Sequence, residues 1–97
     1  VVFVKADEID WIEAADNYVE LHVGKQSHLL REKLSVLETQ LAPEKFVRIS
    51  RSTIINVDRL KELQSLMGGA YTVILQDGTH LTLSRNYRDK LEQLGLG

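Results

Sequence analysis

The stretch Phe46–Leu60, FVRISRSTIINVDRL, decides how the rest of the chain is read. Phe46, Val47, Ile49, Ile54, Ile55 and Val57 have the character of strands bound for a core, yet Ser50-Arg51-Ser52 breaks the run and Arg48 stands inside it. A plain surface strand needs no guanidinium flanked by hydroxyls. The break therefore reads as a connection that carries Arg51 out of a sheet, while Ile54, Ile55 and Val57 resume the core and hold its far end rigid. Asn56 and Asp58 read as structural turn residues.

Upstream of this stretch the period changes. Leu30, Leu34, Leu37 and Leu41 are spaced 4, 3 and 4 apart, which predicts a helix over 30–41 that ends before Pro43. Before it, Val1–Lys5, Trp11–Ala14, Tyr18–Val23 and Ser27–Leu30 read as strands, with turns at Ala15-Asp16-Asn17 and Gly24-Lys25-Gln26. Downstream, Leu60–Leu66, Tyr71–Leu75 and Thr79–Leu83 read as strands. Gly68-Gly69 and Gln76-Asp77-Gly78 are turns, and Tyr87–Leu94 is a short helix capped by Gly95. Strands do not alternate with helices, so a mostly antiparallel β domain is expected rather than a parallel βαβ sheet.

With 97 residues the chain is one domain's length, and its 43% apolar and 27% charged residues are ordinary for a globular protein. Cysteine is absent, which excludes disulfide and thiolate chemistry and fits a reducing, cytoplasmic setting. No apolar run reaches membrane-spanning length. The start on Val1 without Met predicts a piece of a longer protein with a partner domain before it. Net charge is −2, yet residues 1–45 carry five basic and nine acidic side chains while residues 46–97 carry seven and five. A phosphate responds to the local field, so the sign of the total does not decide the partner.

Catalytic sets are not evident. Ser50, Ser52 and Ser84 lack the glycines of a nucleophile elbow, and Gly68-Gly69 lacks the lysine of a phosphate loop. His22 and His28 could face each other across a hairpin, but the spacing matches no zinc pattern, and ordinary strand positions explain them better. No enzyme, metal or cofactor is expected. What remains is polar residues at strand ends: Asn17 in one turn, Ser50, Arg51 and Ser52 in another, and Arg85 and Asn86 after a third strand. Arginine can donate two parallel hydrogen bonds to guanine, asparagine can pair similarly with adenine, and hydroxyls suit phosphates. Singly, each residue has a duller explanation: Arg51 could pair with Glu44 or Asp58, and Arg85 with Asp89.

Three stretches together resemble the LytTR DNA-binding domain family. They are DEIDWIEAADNYVELHV (Asp7–Val23), LREKLSVLETQLAPEKFVRISRSTIINVDRL (Leu30–Leu60) and DGTHLTLSRNYRDKLEQL (Asp77–Leu94). The resemblance implies a mainly β fold, an elongated arrangement of three small antiparallel sheets with one or two short helices. It implies duplex DNA bound by loops entering successive major grooves, as the output domain of a bacterial response regulator. Carried over to this chain, the contact loops fall on Asp16-Asn17-Tyr18, Ser50-Arg51-Ser52 and Ser84-Arg85-Asn86. Arg51, Arg85 and Asn17 become the candidate base readers, and Arg48, Ser52, Asn86 and Arg88 candidates for phosphate or loop-positioning roles. Many members carry His where this chain has Ser50, a shorter side chain better suited to a phosphate. The acidic total implies modest affinity for a lone domain, so tandem promoter sites and dimerisation through an N-terminal domain would matter. The competing expectation is a non-catalytic β protein-interaction or sensory module without nucleic-acid binding.

Overall fold

Four consecutive buried residues, Thr53–Asn56, form a strand covered on both faces, so this chain must supply a layer on each side of it. The computed structural model describes residues 4–95. In chain order the elements are β1 (Trp11–Ala15), β2 (Tyr18–Val23), β3 (Gln26–Leu30), α1 (Leu34–Gln40), β4 (Phe46–Ser50), β5 (Thr53–Asn56), β6 (Leu60–Ser65), β7 (Tyr71–Leu75) and β8 (His80–Leu83). Short 3₁₀ turns occupy Ala6–Glu8, Val57–Arg59, Met67–Gly69 and Arg85–Lys90. Every strand pair is antiparallel.

The fold is mainly β and elongated, 42 × 24 × 21 Å, as expected. The sheets number two among the described residues, not the three the resemblance implied: one of order β3-β2-β1-β5-β4 and one of order β6-β7-β8. The reason is β1. Ile12 lies opposite Leu21 on one side and opposite Ile54 on the other, so β1 joins the first meander to the β4–β5 hairpin.

Side-chain alternation sorts the core into two layers. Ile12, Val19, Phe46 and Ile54 pack with Leu34 and Leu37 of α1. Val47, Ile49 and Ile55 pack with Val73, Leu75 and Leu83 of the smaller sheet, and Leu94 closes that cluster. Burying a side chain of this size contributes about 1.5–3 kcal/mol relative to leaving it in water.

The leucine stripe is shorter than its spacing suggests. Leu30 ends β3, paired with Val19, and Leu41 follows the end of α1, so only Leu34 and Leu37 are buried helical positions. Val4 and Lys5 lie outside any strand, and Val1–Phe3 lie outside the described residues. Tyr87–Leu94 is not an α-helix: a 3₁₀ turn over Arg85–Lys90 runs into further turns and ends at Gly95 with φ 91°. In β4, Arg48 faces Ile54 and Ser50 faces Thr53, which leaves Ile49 as a bulge. That bulge sits on the sheet's edge strand, and the Ile49 carbonyl accepts a hydrogen bond from the Ser84 N–H at 2.9 Å, tying the two sheets together.

Candidate nucleic-acid interface

Register determines which connections share an end of the molecule. Ala15 pairs with Tyr18, which makes Asp16-Asn17 a two-residue turn, and Asp16 takes φ 59°, a left-handed conformation that aspartate tolerates better than most residues. Glu13 pairs with Thr53, and the Ala14 N–H donates to the Ser52 carbonyl at 2.8 Å, so the Arg51-Ser52 turn lies beside the first. Val19 pairs with Leu30, which brings Arg31-Glu32-Lys33 to the same end. The Ser84–Ile49 bond brings Ser84-Arg85-Asn86 next to the β4–β5 turn. The three expected contact loops therefore converge on one end, and strand spacing sets neighbouring hairpin turns about 10 Å apart.

Asn17, Tyr18, Arg51, Ser52, Arg85, Asn86 and Arg88 are all exposed. Neither alternative partner claims Arg51: Asp58 pairs with Lys45 at 3.3 Å, and Arg51, Arg85 and Arg88 make no ion pair among the described residues. The Met67–Gly69 turn supports the third loop. Gly68 and Gly69 have φ 82° and 87°, and a Cβ on Gly69 would stand 3.3 Å from Cγ of Arg85 and Cδ of Arg88. Glycine thus lets the backbone pass directly beneath these two stems.

Ser50 and Arg48 are turned to the protein itself. Ser50 Oγ accepts from the Ser52 N–H at 3.3 Å. The Arg48 side chain is only 14% exposed. Its Nε donates to the Ser50 carbonyl at 2.8 Å, its Nη1 to Glu38 Oε1 at 2.9 Å, and its Nη2 to the Arg51 carbonyl.

Sequence reading missed Arg31 and Lys33 because the leucine stripe appeared to place them in a helix. They instead lie in the β3–α1 connector, which with Asn17 lines a shallow recess. Hairpin register accounts for this: Val23 pairs with Gln26 across a two-residue turn and the last pair is Val19 with Leu30, leaving 31–33 beyond the sheet.

The charge asymmetry follows the fold and not the sequence halves. Connectors 16–17, 31–33, 51–52 and 84–90 hold six cations (Arg31, Lys33, Arg51, Arg85, Arg88, Lys90) and three carboxylates (Asp16, Glu32, Asp89). At the opposite end, connectors 5–10, 24–25, 44–45, 57–59 and 76–79 hold four cations and six carboxylates. One of those carboxyls, Asp77, is held below its ordinary value of 3.8, chiefly by the Thr79 N–H that donates to it at 2.9 Å.

His22 and His28 point to opposite faces, since neighbouring β3 positions Ser27 and His28 oppose His22 and Leu21 respectively. His22 instead stacks on Trp11, with ring centroids 3.8 Å apart, and its Nε2 lies 3.3 Å from Glu13 Oε1. Among the described residues no helix is long and apolar enough to cross a membrane.

The family model of the LytTr DNA-binding domain matches residues 1–95 of this chain. The chain belongs to the LytTR family. It is similar to the sensory transduction protein LytT of Bacillus subtilis, with 29% identity over 94 residues, 97% of this chain and 39% of that protein. It is also similar to the transcriptional regulatory protein LytR of Staphylococcus aureus, with 31% identity over 96% of this chain and 38% of that protein. The chain thus spans about two fifths of the length of these relatives. A solved LytTr DNA-binding domain from Bacillus cereus superposes with a TM-score of 0.86 over 94% of this chain and 84% of that one, at 21% identity, which establishes a shared fold. The family is one of DNA-binding domains, and its model covers nearly all of this chain.

Proposed function

We propose that this LytTR domain binds duplex DNA sequence-specifically by inserting its convergent loops into successive major grooves, as the cytoplasmic output domain of a longer bacterial transcription regulator. Arg51 and Arg85 read guanine O6 and N7, and Asn17 reads an adenine edge. Tyr18, Ser50, Ser52, Asn86 and Arg88 hold phosphates or fix the loops, and Arg31 and Lys33 add phosphate contacts beside Asn17. The observation that carries this reading is the gathering of five exposed cations, none of them ion-paired among the described residues, on one end of an otherwise acidic molecule. A lone domain with this charge balance binds modestly, so tandem promoter sites and dimerisation through the rest of the regulator raise occupancy.

The test is selection from a random duplex pool at fixed salt. Enrichment of one short motif, with affinity that falls log-linearly with salt, is the expected result. A pool that stays random would favour the interaction-module reading, which has one feature on its side: β3 is an edge strand whose Leu29 is 67% exposed.

A further inference from the structure

Two arginines three residues apart serve the β4–β5 turn in different ways. Arg51 projects from it without an ion pair among the described residues, whereas Arg48 spends three donors inside the protein. Two of those donors go to the consecutive main-chain carbonyls that lead into the turn, Ser50 and Arg51, and the third goes to Glu38 on α1. A planar guanidinium is suited to this task because its donors keep fixed directions, so carbonyls bound to it hold a fixed separation. Ser50 sits just past the Ile49 bulge, where the ladder no longer sets the backbone alone, so an added restraint is needed there. Glu38 follows Leu37, whose burial against the sheet fixes α1, so the carboxylate has a rigid base.

We infer that Arg48, clamped by Glu38, is a positioning residue that sets the angle at which Arg51 is presented, and that Arg48 itself makes no phosphate contact. The Arg51 part of this inference rests on the DNA-reading role proposed above. Because α1 holds the clamp, the helix takes part in recognition without touching DNA. Specificity at the base read by Arg51 therefore depends on a carboxylate, a group that any direct role in DNA binding would disfavour.

The two accounts of Arg48 predict opposite signs for Glu38→Ala. If Arg48 were a phosphate contact restrained by Glu38, removing the carboxylate would free it. Affinity would then rise on cognate and random duplex alike, and the salt slope would steepen by about 0.9. The clamp predicts instead a fall of about tenfold in the ratio of cognate to random affinity, with the salt slope unchanged. Arg48→Met should show the same loss of ratio at constant slope, and a slope shallower by about 0.9 would overturn the inference. Thermal unfolding checks that each variant folds, and Glu38→Ala serves alone if Arg48→Met does not, because Glu38 is on the exposed side of α1 and alanine suits a helix. A measurement without DNA separates this inference from the reading it rests on. In both variants the heteronuclear NOE at the Arg51 and Ser52 amides should drop while that of Asp58 and Arg59 stays constant. An unaltered NOE at Arg51 would overturn the clamp whether or not the domain proves to read sequence. A wild-type domain that binds all duplexes equally, with the NOE result as expected, would overturn only the DNA-reading role.

Discussion

Where β1 begins, Asp10, Asn56 and Arg59 are bonded to the protein; where β1 ends, Asn17, Arg51, Arg85 and Arg88 make no side-chain hydrogen bond or ion pair among the described residues. At the first end Asp10 accepts from Arg59 Nε and from the Gly24 N–H, both at 2.8 Å. Asn56, 1% exposed, donates to the Ile9 carbonyl at 2.9 Å and accepts from the Asp58 N–H at 3.0 Å. Gln76 donates through its main chain to the Arg59 carbonyl, which extends the β6–β7 pairing beyond Leu60 and Leu75. At the second end Asn17, Arg51, Arg85 and Arg88 are exposed, whereas Arg48 is fully engaged. Both ends are rich in Asp, Asn and Arg, so residue type alone does not separate a structural end from a binding end. The bonds those residues make do separate them.

This contrast can be broken or sharpened by mutation. The largest effect should come from the layer that carries both ends: Leu37→Ala should cost about 2–5 kcal/mol in denaturant unfolding, because a buried side chain between α1 and the sheet is removed. Leu30→Ala should cost far less, since Leu30 is 42% exposed at the end of β3. At the bonded end, Asn56→Ala should cost about 1–3 kcal/mol of stability by leaving the Ile9 carbonyl and the Asp58 amide without partners. DNA affinity per folded molecule should not change.

Arg51→Ala and Arg85→Ala should do the reverse. Stability should stay within about 0.5 kcal/mol, while binding to a selected site weakens by about 1–3 kcal/mol and one base position relaxes. Equal weakening on random duplex would mark the residue as a phosphate contact. Arg31→Ala and Lys33→Ala should weaken binding uniformly across sequences, each lowering the salt slope by about one.

The smallest effect concerns pH at the bonded end. The Asp77 carboxyl is held below 3.8 by the Thr79 amide, so it contributes stability above its unfolded value that is lost as pH falls through its folded one. Asp77→Asn should therefore remove a slight acid-side dependence of the unfolding midpoint and leave the neutral-to-alkaline profile parallel to wild type.

Much of this was legible in the sequence where local chemistry dominates. Ser50-Arg51-Ser52 between two apolar runs announces a turn, and Asp16-Asn17 and Asp77-Gly78 do the same for their hairpins. Asn56 and Asp58 likewise read correctly as turn residues. What stayed hidden depends on contacts distant in sequence. The fusion of two expected sheets through β1 requires Ile12 to meet Ile54, 42 positions away. The leucine stripe over 30–41 misled because Leu30 obeys a helical spacing while its pairing with Val19 claims it for a strand. Arg48 could be grouped with Arg51 from sequence, but only the position of α1 reveals that Glu38 holds it.

The most direct test maps the amide shifts of the folded domain during titration with a duplex taken from the selected pool. The predicted result is that shifts concentrate at 16–18, 31–33, 50–52 and 84–88 and leave 24–25, 57–59 and 76–79 in place. Shifts concentrated at the Asp10–Arg59 end, or along β3 alone, would contradict the claim that the free-ended connectors form the DNA-binding surface.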